Sequence, residues 1–262
     1  MKTIIADPAG NTTAFIFDAP EDKAERLALC KKLLEGPSQR IEQVGFVSNF
    51  PEKPTLMMMG GEFCGNATRS LGLLAAKEQG IKGKAAMQVI CSGAKEPVPV
   101  NVDTEKSFTE ASMPLPLGIE ELSQRTQRTQ RSQLVVFSQG ITHIIVTDSE
   151  ANEKNFYAIK SSLCSLCLCE RNIDALGVMF YNPSTNFMQP VVWVTETDSL
   201  VFESSCGSGT AALMVYAAQE MADGEKTLQI RQPGGTLQGR IVKKGGRIEA
   251  VYIGGTVGFS SF

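Results

Sequence analysis

Short apolar runs bounded by glycine, proline and asparagine recur along this chain, which predicts strands over residues 13–18, 43–47, 55–59, 86–90, 98–102 and 108–113 in the first half. The second half repeats the order, with predicted strands over 133–137, 142–147, 178–181, 190–194, 227–231, 236–242 and 248–253. Two segments have the mixed polar and apolar spacing of surface helices, 20–34 and 153–170. Two others are apolar on all sides and begin alike. Cys-Gly-x-x-Thr-x-x-Leu-x-x-x-Ala-Ala fits both the run from Cys64 to Ala76 and the run from Cys206 to Ala218. A helix without a polar face is buried all round, so each is expected at the centre of a domain, with Gly80 and Gly224 as the stops. Strands around one apolar helix, made twice, predict an α+β or α/β domain repeated by duplication. The polar stretch 114–132 is the expected crossover between the halves.

The repeated start carries chemistry. The first four N–H groups of a helix lack intrahelical partners, and the macrodipole adds roughly half a positive charge there. A thiol at that position is favoured as thiolate, and its pKa can fall well below about 8.5. Gly65, Gly207 and Gly209 carry no Cβ, so a ligand can approach the backbone, and Thr68 and Thr210 sit at one offset within the first turn. Two half-sites, each with one thiol, are what a two-base proton transfer needs.

Composition narrows the classes. The 262 residues are 42% hydrophobic, enough for two cores, and the net charge of -3 with no basic run argues against a nucleic-acid surface. The start Met1-Lys2-Thr3-Ile4-Ile5 reads as a strand rather than a signal peptide, and no apolar run approaches the length of about 20 residues that a membrane span needs. Seven cysteines, an odd number in a chain of this size, fit a reducing cytoplasm. Cys164, Cys167 and Cys169 raise zinc or redox chemistry, but no second Cys-x-x-Cys pair or nearby histidine completes a tetrahedral set, and no metal site is expected.

The runs Glu42-Gln43-Val44-Gly45-Phe46, Glu62-Phe63-Cys64-Gly65-Asn66-Ala67-Thr68, Ser205-Cys206-Gly207-Ser208-Gly209-Thr210 and Gln232-Pro233-Gly234-Gly235, with Pro8-Ala9-Gly10-Asn11-Thr12 and Ser92-Gly93, resemble the diaminopimelate epimerase-like superfamily. Within it the chain is most similar to the histidine racemases of opine-metallophore biosynthesis. The resemblance covers nearly the whole chain in order. It implies two pseudo-symmetric domains, each a curved mixed sheet wrapped around a central helix. Residues 1–115 would carry Cys64 and residues 116–254 Cys206, with a final strand of the first half supplied by 255–262 and the active site between the two. It also implies cofactor-independent racemisation, with Cys64 and Cys206 as the thiolate and thiol and neither pyridoxal phosphate nor metal.

The substrate-binding residues expected on this resemblance are Asn11, Glu42, Gly65, Asn66, Glu196, Gly207, Ser208, Gly209 and Thr210. Glu203 stands three positions before Cys206 and is a second carboxylate able to reach the site, and His143, the one histidine, lies in a predicted strand with no role assigned. The diaminopimelate enzymes carry a Glu-Arg pair upstream of the second cysteine. The matching stretch Thr195-Glu196-Thr197-Asp198-Ser199 has no arginine, so a second substrate carboxylate would lack its bidentate partner. The acidic residues there suggest a neutral-to-basic side chain, and the resemblance implies histidine as the first expected substrate, with diaminopimelate or another amino acid as the alternative. A non-catalytic anion-binding or thiol-redox protein is the alternative of another class. The expected partner is a small-molecule amino acid, with neither nucleic acid nor membrane; a homodimer is left open.

Overall fold

The computed structural model describes residues 2–36, 41–125, 130–138, 140–164 and 174–261. The chain is an α+β protein of mixed sheet and few helices, and it divides into two compact units. The first comprises Met1–Met113, Thr236–Gln238 and Tyr252–Phe262, the second Pro114–Gly235 and Gly239–Val251. No helix among the described residues is long and apolar enough to cross a membrane.

In the first unit β17 (Gly258–Ser261), β1 (Thr3–Asp7), β2 (Thr13–Ile16), β3 (Gln43–Ser48), β4 (Thr55–Met58), β5 (Lys84–Cys91), β6 (Val98–Asp103) and β7 (Phe108–Met113) pair in that order. The β2–β3 and β4–β5 pairings are parallel and the others antiparallel. Side-chain alternation divides the sheet between two helices. Phe15 joins Leu56, Val100 and Ala111 around α2 (Gly65–Glu78), while Ala14, Ile16, Val44 and Phe46 pack on Cys30 and Leu33 of α1 (Lys23–Leu34). Every residue of α2 from Gly65 to Ala76 is buried. Gly72 makes that possible, since a Cβ there would stand 2.8 Å from Val100. Past the end of α2, Gly80 adopts φ 73° and Ile81 N–H bonds back to Ala76 C=O, the glycine stop expected from the sequence.

In the second unit β8 (Gly118–Arg125), β9 (Gln130–Ser138), β10 (Ile141–Val146), β11 (Ala175–Asn182), β12 (Phe187–Val194) and β13 (Ser199–Phe202) pair in sequence, with β10–β11 parallel. Strand β12 also meets β14 (Gly224–Gln232) at Phe187 and Arg231. Ile144, Val146, Leu176 and Val178 cover Phe156 and Ile159 of α3 (Glu153–Cys164). On β9–β11 lies α4 (Gly207–Ala217), buried at Thr210 and from Ala212 to Val215. The strands β15 (Gly235–Lys244) and β16 (Arg247–Thr256) close the order before β17.

Two expectations change. The polar stretch 114–132 is not a long crossover: β8 and β9 occupy most of it, and only residues 114–117 lie between β7 and β8. A strand with little apolar alternation, such as Ile119-Glu120-Glu121, reads as loop because periodicity detects half-buried strands only. Helix α4 ends at Ala217, capped by Ala218, and Gly224 instead opens β14 with φ 141°. The expected helix over 153–170 is described to Cys164, and Cys167 and Cys169 lie outside the described residues.

Candidate active site

Each copy of the repeated start places its cysteine at the N-cap of a central helix, with nearly the same backbone. Cys64 has φ -123° and ψ 107°, Cys206 φ -125° and ψ 114°. An extended N-cap aims its side chain at the first-turn amides, so sulfur takes the place that serine or aspartate oxygen usually holds. Cys64 Sγ accepts from Ala67 N–H at 3.4 Å, and Cys206 Sγ from Gly209 N–H at 3.3 Å. The hydroxyls of Thr68 and Thr210 each donate to the carbonyl of their cysteine at 2.7 Å. Gly65 is required by close packing: a Cβ would stand 2.6 Å from Met113 and 2.8 Å from Ile253. A Cβ at Gly209 would collide with the Met179 sulfur and stand 3.2 Å from Cys206 Sγ.

Each N-cap is held from outside its helix. Ser92 accepts from Met58 N–H at 2.9 Å and donates to Glu62 C=O at 2.8 Å. Beside it Gly93, at φ 72°, presses on the backbone of Glu62 and Phe63, so the chain entering Cys64 is clamped to β4 and the end of β5. In the second unit Gln232 does comparable work. Its Oε1 accepts from Cys206 N–H at 2.8 Å, and its Nε2 donates to the Thr210 hydroxyl at 2.9 Å. Gly234 N–H adds a bond to Ser204 C=O at 2.8 Å.

Around Cys64, the thiol donates to Gln43 Oε1 at 3.0 Å. A buried polar chain runs beside it. Arg69 Nε donates to Asn66 Oδ1 at 3.1 Å, Asn66 Nδ2 to Asn11 Oδ1 at 3.2 Å, and Asn11 Nδ2 to Glu42 Oε2 at 3.1 Å. Around Cys206, Ser208 Oγ lies 3.4 Å from the sulfur and 3.1 Å from His143 Nε2. His143 is fully buried, and its Nδ1 has no partner among the described residues. An orphaned N–H is rarer and costlier than an orphaned acceptor, which places the ring proton on Nε2. His143 then donates to Ser208, whose own proton is left for the cysteine sulfur.

Burial overrides the helix amides in the electrostatics. It pushes the Cys64 thiol up to about 12, against the lowering by Ala67 N–H. It also holds Cys206 well above the ordinary thiol range, and the charge of the Glu203 carboxylate adds to the rise against Ser208 and Gly209 N–H. The expected lowering of the thiols at the helix N-termini is therefore reversed: desolvation of a charged sulfur outweighs a partial dipole. Burial likewise pulls His143 down to about 4 and Arg69 down to about 9.

The first unit thus brings Asn11, Glu42 and Asn66 into one network beside Cys64, with Gly65 opening α2 after it, and the second gathers Gly207, Ser208, Gly209, Thr210 and Glu203 around Cys206. Glu196 is exposed in the turn between β12 and β13. Gln43, Arg69 and Gln232 were not singled out by sequence reasoning as site-building residues, although one signal was available: Arg69 is the one charge between Gly65 and Ala76. Among the described residues no group of three or more His, Cys, Asp or Glu side chains is placed to hold a metal, and Cys30, Cys64, Cys91 and Cys206 are free thiols. A cavity of about 710 Å³ opens elsewhere in the first unit, lined by Lys84, Asp103, Lys106, Phe108 and Glu110 among others, and it includes neither cysteine motif.

Comparison with known proteins places this geometry. Residues 1–261 match the family model for the histidine racemase CntK N-terminal domain. A histidine racemase of Fusobacterium nucleatum subsp. nucleatum is 34% identical over 240 residues, covering 88% of this chain and 86% of the relative. A histidine racemase of Staphylococcus aureus is 24% identical over 235 residues, with 88% and 85% covered. The fold matches a probable proline racemase from Agrobacterium radiobacter K84 with TM-score 0.64 at 13% identity, covering 99% of this chain and 92% of that one. With nearly its full length matched by the family model, the chain belongs to the histidine racemase CntK N-terminal domain family.

Proposed function

We propose that this protein is a cofactor-independent isomerase that racemises histidine, with Cys64 and Cys206 exchanging the α-proton. The observation that carries the reading is the pair of N-capping cysteines, alike in backbone geometry and each surrounded by polar side chains, in a chain of the histidine racemase family. Inversion at Cα needs a base on one face and an acid on the other, so one sulfur is thiolate while the other is thiol, and the roles exchange in the reverse direction. Both thiols are held protonated by burial, so the thiolate must be formed next to a proton acceptor or a bound charge. Glu203 stands against Cys206 and serves as that acceptor; in this reading it, rather than Glu196, is the carboxylate at the second cysteine. Main-chain amides at the two helix starts supply fixed dipoles for the substrate carboxylate and the carbanion.

The reading includes two pseudo-symmetric halves, one around each cysteine-capped helix. Support comes from the shared motif and from the parallel clamps of Ser92-Gly93 and Gln232 on the two entering chains. A small amino acid is the ligand, and a reducing cytoplasmic setting keeps both sulfurs reduced.

Proton NMR in D₂O with reduced protein tests it, following loss of the α-proton signal of L-histidine and formation of D-histidine by chiral chromatography. D-Histidine formation in the wild type, lost in both Cys64→Ser and Cys206→Ser, is the expected result. Robust turnover of diaminopimelate beside none of histidine would replace the substrate; no exchange with any amino acid would leave an anion-binding or redox role.

A further inference from the structure

The least expected side chain in the first unit is Arg69. It is fully buried within α2, five residues after Cys64, and its described partners are an amide oxygen and the carbonyl of Gly255, 2.9 Å from Nη1. Its Nη2 has no partner among the described residues. Burying a cation without a carboxylate beside it is costly, and an apolar helix core would be served as well by leucine. The position therefore asks for a role.

That role follows from what arginine is unable to do. A guanidinium only donates. Asn66 must turn its oxygen toward Arg69, which leaves only its NH₂ for Asn11. Asn11 must accept on Oδ1, which leaves only its NH₂ for Glu42. Each amide has two faces of opposite polarity, and either would fit its cavity if flipped. The cation at one end and the carboxylate at the other order both amides head to tail. Asn66 and Asn11 are 1% and 5% exposed, so water is a poor substitute for either partner.

We propose that Arg69 is a positioning residue that sets the polarity of the Asn66–Asn11–Glu42 chain, so that Glu42 is held as an oriented carboxylate and Asn11 in one rotamer where the substrate binds. The placement of Asn11 and Glu42 against substrate rests on the function proposed above; the ordering of the two amides does not.

The test uses full-length protein with Arg69→Gln, Arg69→Lys, Asn11→Ala and the double variant Arg69→Gln/Asn11→Ala. Glutamine removes the buried cation, so folding is retained, but it donates or accepts equally well and no longer dictates direction. Lysine still only donates. Loss of one charge-assisted hydrogen bond in the chain corresponds to a rise in KM for histidine of about tenfold in Arg69→Gln, with kcat changed less than about threefold and Arg69→Lys near wild type. In the Asn11→Ala background the same Arg69→Gln change is expected to move KM less than about twofold, because the chain it acts through is gone. An unchanged KM in Arg69→Gln, or an equal effect in both backgrounds, would overturn the proposal. Side-chain amide resonances give a second readout that needs no turnover. Arg69→Gln is expected to shift the NH₂ signals of Asn11 as well as Asn66, whereas a purely local contact moves Asn66 alone and overturns it. Wild-type protein inactive on histidine would defeat the proposed function, while these signals would still decide for or against Arg69.

Discussion

His143 shows how one buried side chain ties the stability of the molecule to its chemistry. Its imidazole lies between Gly177, whose Cβ would stand 2.9 Å from the ring, and the Ser208 hydroxyl. Burial pulls its pKa from 6.5 to about 4. A group whose folded value is depressed contributes stability above its unfolded value and loses it as pH falls through the folded one. The window here runs from about pH 6.5 down to about pH 4, and the two and a half units between correspond to about 3 kcal/mol. Urea unfolding at pH 7 and pH 4 is expected to show the wild type losing about 3 kcal/mol more than His143→Gln. Glutamine keeps a donor for Ser208 but does not titrate. Equal acid sensitivity in the two proteins would mean that the fold does not depress the His143 pKa. The residue's place in a strand is legible in the sequence; its partner is not, because Ser208 lies 65 positions away and only the packing of α4 on β10 joins them.

At the scale of elements, the two cysteine-capped helices owe their precision to the turns that press on them. Gly93 is the clearest case, since its φ of 72° disfavours any side chain and a Cβ would meet main-chain atoms of Glu62 and Phe63, which have no rotamer to yield. Gly93→Ala is expected to lower stability by about 1–3 kcal/mol through strain. It is also expected to cost activity beyond that, because the displaced backbone carries Cys64 one residue later; thermal melts beside kcat measure the two effects separately. Retained kcat at reduced Tm would show that the clamp serves folding alone. The same element scale explains what the sequence conceals. Helices α2 and α4 are legible because a largely apolar run after Cys-Gly has few other outcomes, and the N-cap sulfur follows from that start. Strands β8 and β13 are missed because short or polar strands carry no strong period-two signal, and the clamps of Ser92 and Gln232 are missed because each bonds to backbone more than 25 positions away. The thiol pKa shifts go opposite to expectation for a related reason: the dipole is local and readable, whereas desolvation depends on everything that folds over the sulfur.

For the whole molecule, the question is whether one chain suffices. Each unit carries one capped cysteine with its own polar surroundings. In the proposed reading a half-site alone moves a proton on one face, whereas inversion needs a base and an acid on opposite faces of one Cα. Both cysteine motifs lie in this one chain, so in the proposed reading a single chain supplies both thiols. Mixing Cys64→Ser protein with Cys206→Ser protein tests this without any knowledge of the assembly. If both thiols acting on one substrate belong to one chain, the mixture forms no more D-histidine than either variant alone, at any incubation time. If a functional site drew its two cysteines from different chains, exchange of subunits would regenerate intact pairs, and activity would grow as the mixture equilibrates. The absence of complementation is expected. It would also separate the two thiols functionally, because residual α-proton exchange without inversion in one variant identifies the surviving cysteine as a competent base on its own face.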